Sequence, residues 1–142
     1  GVGNRATEFS ESAVSSREAQ FLPLLAEIKK MPLFGHGFGK TITYKSSDPR
    51  ILASNPTGVY TTYAFELGYL DILLKIGAVG LLLYLVLIAK IGKKLASARD
   101  PFAEGLLFGL IALLVVHAFS PYLNHPLGIG YLVLASLYRS DS

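Results

Sequence analysis

The 142-residue chain carries 51% hydrophobic and 16% charged residues, with 13 basic against 10 acidic side chains and no cysteine. A typical soluble domain has about 25% charged residues, so this composition is short of the polar surface that a water-soluble enzyme needs. The absent cysteines exclude disulfide frameworks, thiolate metal sites and cysteine nucleophiles, and the modest positive charge does not cluster in a way that suits a nucleic-acid surface.

In chain order, the first twenty residues carry no apolar core of a signal peptide. The stretch Ser15 to Lys30 has apolar positions at Ala19, Leu22, Leu25, Ala26 and Ile28, which predicts a helix capped by Ser15 or Ser16 and weakened in the middle by Pro23. Pro32 disfavours helix at Met31, so the helix stops by Lys30. Lys40 to Gly58 reads as loop on its turn signals Ser46-Ser47-Asp48-Pro49 and Asn55-Pro56-Thr57-Gly58, and Tyr60 to Leu74 reads as the start of a helix that enters a membrane.

Beyond it the charges vanish: no Asp, Glu, Lys or Arg lies between Lys75 and Lys90, or from Gly105 to Tyr138. Ile76 to Ala89 would be about 21 Å long as helix against a hydrocarbon core of roughly 30 Å, so it spans if Lys75 and Lys90 snorkel. Spans are therefore expected at about 72–91, 102–119 and 127–138, the last one short. Lys90, Lys93, Lys94 and Arg99 place the first connection in the cytoplasm by the positive-inside rule, and residues 1–70 form an extracytoplasmic segment. The expectation is an all-α, polytopic membrane protein fragment, with 1–70 as a helical outer loop, 71–142 as transmembrane helices and further spans upstream.

The tightest local signal is Pro32-Leu33-Phe34-Gly35-His36-Gly37-Phe38-Gly39-Lys40-Thr41. Its end matches a phosphate loop, but Phe34 stands where the first glycine of that motif belongs, and Lys40 stands where a dinucleotide fingerprint needs its third glycine. What alternating glycines permit is close approach of the backbone to another surface, with amide groups free for an anion.

Arg17 with Gln20, the stretch ending Ile28-Lys29-Lys30-Met31, the glycine loop, and Glu66-Leu67-Gly68-Tyr69-Leu70-Asp71-Ile72-Leu73-Leu74-Lys75-Ile76-Gly77-Ala78-Val79-Gly80 leading into a leucine-rich span together resemble the C-terminal part of the O-antigen ligase and O-antigen polymerase family. The resemblance implies a metal-independent, cofactor-free membrane glycosyltransferase of the bacterial inner membrane. Such an enzyme moves glycan from an undecaprenyl-pyrophosphate carrier to an acceptor glycan at the outer face. It also implies that Arg17 handles the pyrophosphate. Glu66 stands where the ligases usually carry His, which favours a polymerase-like member with a carboxylate base. Ligase-type transfer to a lipid or protein acceptor, and a non-enzymatic subunit of a polysaccharide assembly system, are the alternatives. The partners implied are the polyprenyl-pyrophosphate-linked glycan, the acceptor glycan, the lipid bilayer and a chain-length regulator, with no nucleic acid.

Chemically, an acceptor hydroxyl must lose its proton as it attacks the anomeric carbon, and Glu66 is the candidate base, with His125 in the outer turn as the alternative. Arg17 and Glu66 are the catalytic candidates. Gly35, His36, Gly37, Gly39 and Tyr69 are the substrate-binding candidates, and no metal ligands are assigned. Each has a plainer alternative: Arg17 a surface ion pair, Glu66 a carboxylate favoured by a helix N-terminus, His36 a turn residue. His117 reads as a histidine bonded to a neighbouring helix, and Gly77 and Gly80 as sites of close helix packing.

Overall fold

Local chemistry places the helix ends. The structure, a computed structural model, describes residues 18–98 and 100–139, so the expected caps Ser15 and Ser16, the candidate Arg17, and Arg99 lie outside the described residues. Helix α1 covers 18–28, with Pro23 inside it, and its last turn tightens where the Lys30 and Met31 amides donate to the Glu27 and Ile28 carbonyls. One face, at a spacing of four, is buried: Gln20, Leu24 and Ile28.

A β-hairpin follows where a loop was expected. Strand β1 (Ile42–Lys45) pairs antiparallel with β2 (Val59–Thr62), with Tyr44 opposite Tyr60 and Ile42 opposite Thr62. Short helix α2 (Pro49–Ser54) lies between them. The return to β2 is an Asn55 turn: its Oδ1 accepts from the Thr57 amide at 3.2 Å, and its Nδ2 donates to the Val59 carbonyl at 2.8 Å. The Tyr60 region is therefore strand rather than the start of a helix. Its run of β-branched and aromatic residues favours a pleated, half-buried surface, and the turn signals on either side are the bends that bring the strands together.

The membrane-type helix begins at Gly68. Helix α3 (Gly68–Ser97) is broken at Gly77, whose φ of 68° and ψ of −174° are non-helical. Helix α4 (Pro101–His117) has Pro101 in its first turn and is capped by Asp100, which accepts from the Phe102 and Ala103 amides at 2.9 and 3.1 Å. A 3₁₀ turn at Tyr122–Asn124 leads to α5 (Pro126–Leu137), capped by His125. The protein is mostly helical, so the all-α expectation holds for everything except the hairpin.

Two apolar clusters organise these elements. Leu24, Ile28, Ile42, Phe65 and Leu74 join α1, the hairpin and the first part of α3. Ile88, Ile91, Leu95, Leu106, Leu110 and Leu132 lie in the larger cluster, which joins α3, α4 and α5. Tyrosine hydroxyls tie the helices: Tyr69 donates to the Leu114 carbonyl at 2.8 Å, Tyr84 to Leu123 at 2.9 Å and Tyr131 to Leu106 at 2.5 Å. The outward faces carry Leu82, Leu83, Phe108, Val115 and Leu134, all exposed. The three helices fall on the three apolar stretches, but α3 alone among the described residues is long and apolar enough to cross a membrane; α4 and α5 are shorter apolar helices.

Candidate functional site

The cleft between α1 and the hairpin has a volume of about 470 Å³ and a mixed lining, about half of it polar, with Ile51 and Ala64 among its apolar residues. Gln20 enters from α1, Tyr44 from β1, Asp48 and Ser54 from the two ends of α2, Tyr60 and Thr62 from β2, and Glu66 from the connection to α3. Gln20 is the knot of this arrangement. Although polar, it is 4% exposed; its Nε2 donates to the Tyr44 hydroxyl at 3.0 Å, and its Oε1 accepts the Glu66 amide at 3.1 Å. One amide thus fixes a strand, a helix and the backbone of the candidate base.

Two further devices hold Glu66 at the rim. The Thr62 hydroxyl accepts the Ala64 amide and donates to the Ala64 carbonyl, both at 3.1 Å, closing a tight turn. Phe65 is then driven into the core at 2% exposure, which leaves its neighbour Glu66 half-buried at the cleft. Asp48, 3% exposed, adds a second carboxylate to the same cleft, and its amide is bound by the Ser46 hydroxyl at 3.1 Å. The Tyr44 and Tyr60 rings meet edge to face at 5.9 Å. Carboxylates, hydroxyls and aromatic edges around one opening are the groups that hold a polyol and take a proton from one of its hydroxyls.

The glycine loop does something other than expected. The Ala78 and Val79 amides, which begin the second part of α3, donate to the Pro32 and Leu33 carbonyls at 2.8 and 3.1 Å. In return, the His36 and Gly37 amides donate to the Leu74 and Lys75 carbonyls, both at 2.8 Å, and the Gly35 amide donates to Met31. The loop supplies the partners that a broken helix lacks at both of its new ends. The amides of Gly35, His36 and Gly37, expected to be free for an anion, are therefore spent on backbone carbonyls. Gly77, expected as a packing glycine, is the break itself: a Cβ there would stand 2.3 Å from the Leu33 carbonyl oxygen, and one on Gly35 would stand 2.6 Å from the Gly77 nitrogen. Both have positive φ.

The remaining sequence candidates separate. The His36 ring faces inward, its Nε2 2.8 Å from the Glu27 carbonyl oxygen. Tyr69 turns toward α4 and stacks edge to face on His117 at 4.7 Å, away from the polar cleft. His117 is fully buried, and its Nδ1 accepts the Leu123 amide at 3.1 Å, so its bond reaches the turn before α5. His125 spends its Nδ1 on the Leu127 amide at 3.3 Å as a helix cap. Neither Gly39 nor His125 is among the residues lining the polar cleft, and Arg17 lies outside the described residues.

Two charged groupings were not singled out as sites by the sequence. Lys75, expected to snorkel, instead pairs with Asp71 at 2.8 and 2.9 Å; both are nearly buried, and Asn124 Nδ2 donates to Asp71 at 2.7 Å. The Asp71 and Lys75 spacing of four on one helix is the legible signal for that pair. The Lys75 ammonium also lies 5.9 Å from the centre of the Phe38 ring, and Phe38, Ile76, Tyr84, Asn124 and Leu132 help to line an apolar groove of about 450 Å³. At the end of α1, Glu27 binds Lys30 at 2.5 Å and Lys40 at 2.8 Å, and the hydrogen bonds from these two ammonium groups lower its carboxyl pKa to about 2. Among the described residues, no three His, Asp or Glu side chains converge as a metal site.

Compared with protein-family models, with curated proteins and with solved structures, the chain matches none.

Proposed function

We propose that the chain is part of a polysaccharide polymerase of the bacterial inner membrane, a glycosyltransferase similar to the O-antigen polymerases. It transfers glycan from an undecaprenyl-pyrophosphate carrier to an acceptor glycan at the outer face. The observation that carries this reading is the polar cleft that holds Glu66 two residues before the start of a helix long and apolar enough to cross a membrane. A hydrophilic glycan attached to a lipid carrier has to be met where a polar cleft adjoins an apolar helix. The exposed leucines, valines and phenylalanines on α3, α4 and α5 support a multi-pass arrangement, since soluble monomers rarely expose such continuous apolar surface.

In the proposed reaction the acceptor hydroxyl oxygen attacks the anomeric carbon of the carrier-linked sugar. A new glycosidic C–O bond forms as the C–O bond to the pyrophosphate breaks, and the hydroxyl proton passes to the Glu66 carboxylate. The leaving pyrophosphate gains negative charge, which Arg17 offsets through its planar, permanently charged fork. Gln20, three residues after Arg17 in the sequence, holds the Glu66 backbone.

In cells making the polymer, Glu66→Gln leaves carrier-linked repeat units accumulating with little long glycan. Arg17→Lys, which keeps the charge and loses the fork, weakens donor use as well. Glycan chain length on a gel checks both; a normal ladder from Glu66→Gln moves the base role to Asp48 or His125.

A further inference from the structure

The loop over residues 31–38 is apolar outside and bonded inside. Its exposed side chains include Met31, Leu33, Phe34 and Phe38, with Phe34 at 73% and Phe38 at 66% exposure. Its one polar side chain, His36, turns inward onto the Glu27 carbonyl. The Pro32 and Leu33 carbonyls and the Gly35, His36 and Gly37 amides have backbone partners, most of them on α3. These bonds remove five polar groups from those that irregular backbone would otherwise leave unmet at membrane depth.

The attachment point sets the depth. The loop is bonded to α3 at residues 74–79, and the uncharged part of α3 beyond the break, 78–89, is only about 18 Å long against the roughly 30 Å of a hydrocarbon core, so with Lys90 at the far headgroups the bonded loop lies inside the near edge of that core. Val79, Leu82 and Leu83 on that part are exposed, so the apolar surface of the loop lies beside the start of the apolar surface of the helix. At the two ends of the loop stand Lys29, Lys30 and Lys40; Glu27 pairs with Lys30 and Lys40, so the group keeps a net positive charge that complements anionic headgroups. We propose that residues 31–38 insert into the lipid leaflet on the hairpin side of the membrane, with Met31, Leu33, Phe34 and Phe38 among the acyl chains. This rests on the reading of α3 as a membrane span. It gives the glycine loop the task of holding the polar cleft at a fixed height above the bilayer.

The chain has no tryptophan, so in a full-length protein whose remaining segments are also cleared of tryptophan a single introduced one reports its own surroundings. The experiment takes the full-length protein in vesicles of phosphatidylcholine and phosphatidylglycerol whose acyl chains carry bromine near the headgroup end. Phe34→Trp is compared with Leu83→Trp on α3 and with Tyr63→Trp, an exposed position after the hairpin; Leu33→Trp repeats the loop measurement at a second exposed site. Expected is loss of emission from Phe34→Trp, Leu33→Trp and Leu83→Trp, with Tyr63→Trp unaffected by the lipid bromine and quenched by aqueous iodide. Quenching of Leu83→Trp alone, with both loop variants insensitive to bromine, overturns lipid insertion of the loop and leaves α3 as a span; this is also the result if another protein segment covers the loop. Insensitivity of Leu83→Trp as well overturns the membrane reading and the insertion together.

Discussion

At Gln20 and Glu27, two side chains of one helix, the polar half of the protein is fastened. Gln20 is buried with both ends of its amide bonded, and a group so placed costs about 1–3 kcal/mol when one partner is removed. Glu27 works by charge. Its carboxyl titrates near 2 in the folded protein against an ordinary 4.5, so its contribution to stability is fully present above about pH 4.5 and is lost as the pH falls toward 2. Lys30 and Lys40 are the partners that lose it, and Lys40 follows directly after the glycine loop. The expected outcome is that Glu27→Gln melts below the wild type at neutral pH, with the gap closing between about pH 4.5 and pH 2. Thermal melts across that range check it; a gap independent of pH would assign the effect to packing.

The broken helix is the element on which the others depend. Its two parts are held in line by a loop from elsewhere in the chain, through backbone bonds that need Gly35 and Gly77 to have positive φ and no Cβ. Left-handed strain alone costs about 1–3 kcal/mol for a residue with a side chain, and a Cβ at position 77 also meets the Leu33 carbonyl. Gly77→Ala is therefore expected to lower the melting temperature and expose the loop amides to hydrogen exchange, whereas an alanine at Gly105, inside α4 where a Cβ meets nothing, does not lower the melting temperature and leaves the loop amides protected. Exchange protection measured by mass spectrometry separates the two. The sequence made some of these elements legible. The Pro32 stop and Pro101 as a first-turn residue are local rules, and α1, α4 and α5 follow from them and from charge-free runs. The hairpin was hidden because Ser46-Ser47-Asp48-Pro49 and Asn55-Pro56-Thr57-Gly58 mark turns equally in a loop and between strands. The break was hidden because one glycine in an apolar run looks like a packing site; only its partner 42 residues earlier reveals it. Among the residues of the cleft, Glu66 was singled out in the sequence through the family resemblance, while Tyr44 and Asp48 join it only through the long-range pairing of β1 with β2.

At the scale of the whole molecule, a polar half built on α1 and the hairpin stands on a helical half with an apolar exterior, and α3 runs from one to the other. On the proposed reading, the positive-inside rule puts the end of α3 that carries Lys90, Lys93 and Lys94 in the cytoplasm. The chain has no cysteine, so single cysteines at Ser47 and Ser97, in a full-length protein whose remaining segments are also cleared of cysteine, report their sides without background. An impermeant thiol reagent is expected to label Ser47→Cys from outside the cell and Ser97→Cys only after the membrane is opened; labelling of both from outside would remove this topology.

Glycan transfer by the purified full-length protein in vesicles, from a synthetic polyprenyl-pyrophosphate-linked repeat unit and in the presence of a chelator, tests the central claim most directly. The account predicts polymer from the wild type and a rate about 10² to 10⁴ lower from Glu66→Gln, the usual loss when a general base is removed, with donor binding unchanged. Polymer from Glu66→Gln at the wild-type rate, or no transfer from the wild type under conditions where it binds the donor, would contradict it.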